Sequence, residues 1–399
     1  MKKIEKNWKK NISLYLIGKA LTIFGSSLVQ FAIIWYITLE TQSGIQMMVA
    51  TLCGFIPQIL VTLFAGVWAD RYSKKMLIIL SDSAIAIATS IIAILFILGM
   101  DYLWLLYIAL IIRSFGAGVQ APTATAFIPE LVPKEKLMRV NGISTTIQSI
   151  MLVFSPAAAG VLLSMFSLGP IMFVDLITAI IGLSFIAFVK HQHKRKDNGE
   201  EKVFNEIKEG IIYTKGNILI RKLIKYSIIF NILITPLAVL TPLFVTRVFG
   251  AEAWRLSVGE ISFFVGSIVG GVLIATWGGY KRRVKTISLG CILCGLFSIG
   301  LGLAPNFAIY LIISGILGIT LPIFNTPALT LMQENIEPEM YGRTFSLMQL
   351  IGGAVMPLAM IVFGPLADIV SIKYIFIVGG ILFAYVGYIL SKDKVVNKL

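Results

Sequence analysis

The residues best able to do chemistry in this sequence are a few charged side chains set inside long apolar runs. Arg113 lies in LYIALIIRSFGAG, Asp175 in GPIMFVDLITA and Asp82 in LIILSDSAIAIA. An arginine at the centre of a membrane helix costs about 2.5–3.5 kcal/mol even on the lenient insertion scale. Arg113 therefore implies an internal cavity and an acidic partner. A carboxyl group so placed can take up and return a proton. Asp175 is the first choice for a proton carrier and Asp82 the second; either could instead be the structural partner of a polar neighbour. Glu260, at the start of a predicted span, reads as interfacial. Gln30, Trp35, Tyr36, Gln148, Asn231, Asn325 and Gln349 are candidates to line a substrate cavity, although aromatic residues near span ends more often form interfacial belts.

The elements that must position these groups are read from hydropathy. The chain has 399 residues, 57% hydrophobic and 14% charged, against about 25% charged in an ordinary soluble domain. A spanning helix needs about 20 apolar residues. Twelve spans are predicted, at 14–38, 46–68, 76–99, 103–123, 143–165, 169–189, 223–247, 258–278, 285–304, 307–330, 344–366 and 372–391. The fold class is thus an all-α membrane protein of two six-helix bundles, 1–190 and 223–399, joined by a linker over 191–222. Within the linker, VFNEIKEGIIY at 203–213 has the spacing of a surface helix, and a simple tether is the favoured reading.

The net charge of +14 does not imply nucleic acid, because the bases lie in short strips between apolar runs. One side of the membrane receives the basic N-terminus, Arg71/Lys74/Lys75, Lys134/Lys136/Arg139, the linker, Lys281 to Lys285, Arg343 and the tail; the other receives Arg247, Arg255 and Lys373. The positive-inside rule then puts both termini in the cytoplasm of a bacterial cell, in its inner membrane. The first apolar segment is too long for a signal-peptide core and lacks a cleavage site, so it reads as a retained helix. Cys53, Cys291 and Cys294 all lie in apolar runs and read as packing residues. His191 and His193 read as interfacial. No His, Cys and acid cluster suits a metal or a nucleophile, and no nucleotide-binding loop is present, so neither an enzyme nor an ATP-driven pump is expected, and no cofactor or metal. A monomer is expected.

The halves repeat weakly. Gln148 and Pro156 in the fifth span match Gln349 and Pro357 in the eleventh, and the fourth and tenth spans end near Glu130 and Glu334. Carriers built from two halves show such repeats. Between the second and third spans stands Gly66-Val67-Trp68-Ala69-Asp70-Arg71-Tyr72-Ser73-Lys74-Lys75. Physically this reads as a cytoplasmic latch. Gly66 allows close helix approach, Asp70 can face the positive N-terminus of the eleventh span near residues 343–346, and Arg71 can pair with Glu130.

That loop resembles the G-x-x-x-D-R-x-x-[RK]-[RK] signature of the major facilitator superfamily. Arg113 with Gly116 departs little from the family's arginine element of the fourth span. Ser155-Pro156-Ala157-Ala158-Ala159-Gly160 resembles a degenerate form of the antiporter element G-P-x-x-G-G. With Leu131-Val132-Pro133-Lys134-Glu135, Val174-Asp175 and Gly342-Arg343-Thr344-Phe345-Ser346-Leu347, the chain resembles drug:proton antiporters of that superfamily, most closely the bacterial macrolide-efflux group. The resemblance implies proton coupling through Arg113, alternating access, and export of a small amphipathic compound. Siderophore and lysophospholipid carriers share the fold and remain the alternative.

Overall fold

The structure is a computed structural model that describes residues 8–190, 212–337 and 340–393. Twelve helical spans among them are long and apolar enough to cross a membrane. They are α1 (Trp8–Thr41), α2 (Gly44–Arg71), α3 (Lys74–Ile97), α4 (Leu103–Leu131), α5 (Leu137–Met165), α6 (Leu168–Ala187), α7 (Ile218–Val239) continued by α8 (Thr241–Phe249), α9 (Ala253–Trp277), α10 (Arg283–Gly302), α11 (Phe307–Asn335), α12 (Tyr341–Ile369) and α13 (Ile372–Lys392). The surface helix expected at 203–213 and both histidines fall almost wholly outside the described residues.

Several helices run longer than the apolar windows that reveal them. The fourth reaches Leu131 past Pro122 and Pro129, because neighbouring helices can re-satisfy the backbone groups a proline frees. The seventh span breaks at Leu240, just before Pro242. The ninth helix begins at Ala253, five residues before the predicted start. Glu260 therefore sits two turns inside a span and not at its edge. On α3, Leu80, Ile87, Ile91 and Ile94 face outward while Ser81, Asp82, Thr89 and Ser90 are inside. Lipid, being as apolar as leucine, imposes no penalty on that arrangement.

The chain divides into two units, Met1–Ile37 with Leu52–Glu200, and Thr38–Thr51 with Glu201–Leu399. In the first, α3 packs along α4 and α6; in the second, α10 packs along α11 and α13, six spans later. A buried cluster of Tyr15, Phe127, Ile128, Leu131 and Ile186 closes one end of the first unit. In the second, Phe230 stacks on Phe324 with centroids 3.6 Å apart, and Phe383 meets Phe230 edge-on.

Candidate functional site

The site of the first unit depends on how closely α1 lies against α6. A Cβ on Gly18 would meet the Gly182 carbonyl oxygen at 2.5 Å, and one on Gly182 would meet the Gly18 carbonyl at 2.7 Å. With no side chain between them, the two backbones touch. Ser26 and Gln30 of α1 are thereby brought beside Asp175 of α6.

Arg113 of α4 reaches into that junction. Its Nη1 donates to the Asp175 carboxylate and to Thr89 Oγ1 at 3.0 Å; its Nε donates to Gln30 Oε1 at 3.2 Å; its Nη2 donates to the Ser26 carbonyl at 2.5 Å and to Ser26 Oγ at 3.3 Å. Three helices thus converge on the guanidinium of a fourth, whose planar fork can satisfy them together. The side chains of Arg113 and Asp175 are 5% and 4% exposed. The expectation that Arg113 has an acidic partner is met by Asp175, and the pair is neutral as a unit.

Asp82 lies in a different setting. It is buried and receives Gln120 Nε2 at 3.4 Å. No cation bonds to it among the described residues. It borders a cavity of about 310 Å³ lined also by Thr22, Ser26, Gln30, Gln58, Arg113 and Gln120. Pro57 interrupts the α2 ladder next to this cavity, and the Gln58 N–H donates to Ser114 Oγ at 2.9 Å. Gln58, Gln120, Ser26 and Thr89 escaped sequence reasoning. Neutral polar residues are common in spans, and none of the four carries a local signal of the cavity it serves.

The second unit holds an apolar cavity of about 260 Å³ between α7, α11 and α12. Asn231 and Asn325 border it with Phe324, Met332, Met348 and Ile351. Of the other predicted cavity residues, Gln30 lines the polar cavity, while Trp35 is 1% exposed and packs against Phe31 inside the first unit. Trp35 is therefore core and not lining. Gln148 and Gln349 are exposed and border neither cavity.

At the latch, Lys74 Nζ donates to Glu130 Oε1 at 2.7 Å, and Lys75 Nζ to the carbonyls of Ala187 and Val189. Glu130 thus takes a partner from the turn beyond Arg71, which is itself half-buried. The side chains of Asp70 and Arg343 lie outside the described residues. The second unit repeats the arrangement with Arg283 bidentate to Glu334, at 2.8 and 2.5 Å. Ser155 is fully buried, with its hydroxyl 3.5 Å from the Phe24 carbonyl, and Pro156 and Gly160 are buried beside it. In the second unit Gly266 and Gly270 face α11, where added methyls would meet Gly315 and Ile319 carbonyls. Cys291 and Cys294 are free, and Cys294 Sγ lies 2.8 Å from Thr320 Oγ1. Among the described residues no group of three or more His, Cys, Asp or Glu is placed to hold a metal.

Known proteins share both the sequence and the fold. Macrolide efflux protein A of Streptococcus pyogenes is 30% identical over 397 residues, covering 98% of each chain. The protein of the same name from Enterococcus faecalis is 31% identical over 314 residues, 78% of this chain and 96% of that one. The crystal structure of the peptide transporter POT in complex with sulfate superposes with a TM-score of 0.76 at 13% identity, covering 98% of this chain and 95% of that chain, a likeness of fold. The chain is a multi-pass membrane protein and a secondary transporter of small molecules. The family model of the Major Facilitator Superfamily matches residues 15–360, and the chain belongs to that superfamily.

Proposed function

We propose that this transporter exports a small amphipathic compound, of the macrolide type, in exchange for protons, through a cavity open to one side of the membrane at a time. It works as a monomer in the inner membrane of a bacterium, with both termini in the cytoplasm. The likeness to macrolide efflux protein A over nearly the whole chain supports the substrate class. The observation that carries the coupling is the contrast between two buried acids. Asp175 is held by Arg113, whereas Asp82 faces a polar cavity with only neutral donors bonded to it.

Protonating Asp175 would break an ion pair that four helices share. Protonating Asp82 breaks none. Asp82 is therefore the proton carrier in this reading, and the Arg113–Asp175 pair is the fixed, neutral frame beside which it works. Gln30 touches both Arg113 and the cavity that Asp82 borders. Both acids and Arg113 thus take part in coupling, with the roles of the acids reversed from the order that sequence suggests. The driving force is adequate: one charge moved through 100 mV supplies about 2.3 kcal/mol, and 1.4 kcal/mol is a tenfold ratio.

The test is transport of a labelled macrolide in proteoliposomes. Asp82→Asn should retain exchange of substrate for substrate and lose accumulation driven by an imposed pH gradient. Gradient-driven accumulation by that variant at the unsubstituted rate would refute the assignment. Equal retention of macrolides and dyes by cells with and without the protein would refute the substrate class.

A further inference from the structure

The outer end of α12 carries a second G-x-x-A-D. Gly364-Pro365-Leu366-Ala367-Asp368 has the same spacing as Gly66-Val67-Trp68-Ala69-Asp70 at the end of α2. The first of these holds the residues assigned to the inner latch. The second is fully formed in the structure, and its target is the start of α2.

Asp368 Oδ1 accepts the Gly44 N–H at 2.7 Å, and Oδ2 accepts the Ile45 N–H at 2.9 Å and Ser43 Oγ at 2.8 Å. These are the opening residues of α2, whose first N–H groups have no partner within the helix. A carboxylate there also meets the positive end of the helix dipole. Arg247 of α8 completes the clasp. Its Nη2 donates to Asp368 Oδ1 at 2.6 Å, its Nη1 to the Ala367 carbonyl at 2.5 Å, and its Nε to the Gln42 carbonyl at 3.0 Å. Gln42 holds a left-handed φ of 45°, which an L residue adopts at a cost and which turns its carbonyl toward Arg247. The backbones are in contact: a Cβ on Gly44 would meet the Gly364 carbonyl at 2.2 Å.

This clasp accounts for an oddity of the architecture. Residues Thr38–Thr51 belong to the second compact unit, although the helices on either side of them belong to the first. The clasp attaches them there.

We propose that Gly364–Asp368 is an outer latch, the reciprocal of Gly66–Asp70. Each of α2 and α12 ends in a G-x-x-A-D; Asp368 caps the start of α2, and the start of α12 is the target expected for Asp70. The two latches alternate, the outer one released when the carrier opens outward. The alternation rests on the transport cycle proposed above; the contacts of the outer latch do not.

The test is thiol labelling of the full chain in membranes, which requires neither substrate nor gradient. In a background of Cys53→Ser, Cys291→Ala and Cys294→Ala, the reporter is Met48→Cys, since Met48 lies beneath the clasp against Gly364. A membrane-impermeant maleimide is applied from outside. Asp368→Asn should raise the labelling rate about two- to fivefold, the range expected for a charge at a helix end, and Ser43→Ala should raise it less. Asp70→Asn should lower it, and the double variant should return toward the starting rate. Asp393→Asn, which breaks the ion pair with Lys222 elsewhere in the second unit, should leave it unchanged. An unaltered rate in Asp368→Asn would overturn the latch. A rise in Asp70→Asn would overturn the reciprocity, and a rise in Asp393→Asn would mean general loosening, which also overturns the proposal. If Asp82→Asn still couples while these rates shift as stated, the coupling assignment fails and the latch stands.

Discussion

Arg113→Met and Asp175→Leu, made singly and together, test whether the buried pair is a neutral frame. Both side chains are about 5% exposed or less, so neither loses its charge to water when the other is removed. Removing one partner of such a pair costs about 3–5 kcal/mol, because the remaining charge is left uncompensated. Arg113→Met additionally strips Gln30, Thr89 and the Ser26 carbonyl of their donor, at about 1–3 kcal/mol for a group left unsatisfied. Asp175→Leu leaves those bonds in place. Arg113→Met should therefore be the worse single variant. The double variant removes both charges, and such replacements are often near neutral. It should retain only the lost hydrogen bonds, and so be more stable than either single. The assay is thermal unfolding of the purified protein in detergent, followed by tryptophan fluorescence. A double variant as destabilised as the sum of the singles would refute the reasoning, since it would mean that the two charges do not neutralise one another.

Three other substitutions separate the remaining contacts. Glu130→Gln leaves Lys74, whose side chain is 8% exposed, without its acid, whereas Glu334→Gln leaves the 35% exposed Arg283; thermal unfolding should fall more for the first, the second costing about 1 kcal/mol or less. Gly18→Leu should abolish production of folded protein, visible as loss of a monodisperse peak on size exclusion, because α1 and α6 leave no room for a side chain. Asn231→Leu should change which compounds are retained by cells without removing gradient-driven transport of the best ones, checked across a panel of macrolides and dyes, because Asn231 borders the apolar cavity of the second unit, whereas the charged site belongs to the first.

The spans were legible because hydropathy is additive along a helix: little except a membrane crossing calls for about twenty apolar residues in a row. The Arg113–Asp175 pair was half legible for a related reason. A charge in lipid must be neutralised, so the arginine announced an acid, but sequence could not say which of Asp82 and Asp175 it would find. That choice depends on the approach of α1 to α6, set by Gly18 and Gly182, two glycines among 35. Trp35 went the other way. Its indole suggested a cavity wall, yet a large flat side chain in the middle of a helix also fills a core well. Asp368 was passed over because an acid near a span end is at home in water, and its cap on α2 joins residues more than 300 positions apart.

The two units are built on one plan and use it for different ends. Gly318 occupies in the tenth span the place of Arg113 in the fourth, and a Cβ on it would meet the Phe263 carbonyl at 2.0 Å. An arginine there would force α9 off α11. The second unit therefore cannot carry the buried guanidinium, and its cavity is correspondingly apolar, with Asn231 and Asn325 as polar points among Phe324, Met332 and Met348. The first unit, with Arg113, Asp175 and Asp82 within a short reach of one another, gives up some apolar lining for charge. A carrier that must hold an apolar compound and exchange a proton benefits from this separation. Titrating a carboxyl group costs least where fixed charge and polar side chains already surround it, and a greasy ligand binds best where they do not. Moving the charge site into the second unit would thus require relocating Gly318, and with it the α9–α11 contact on which that unit's packing depends.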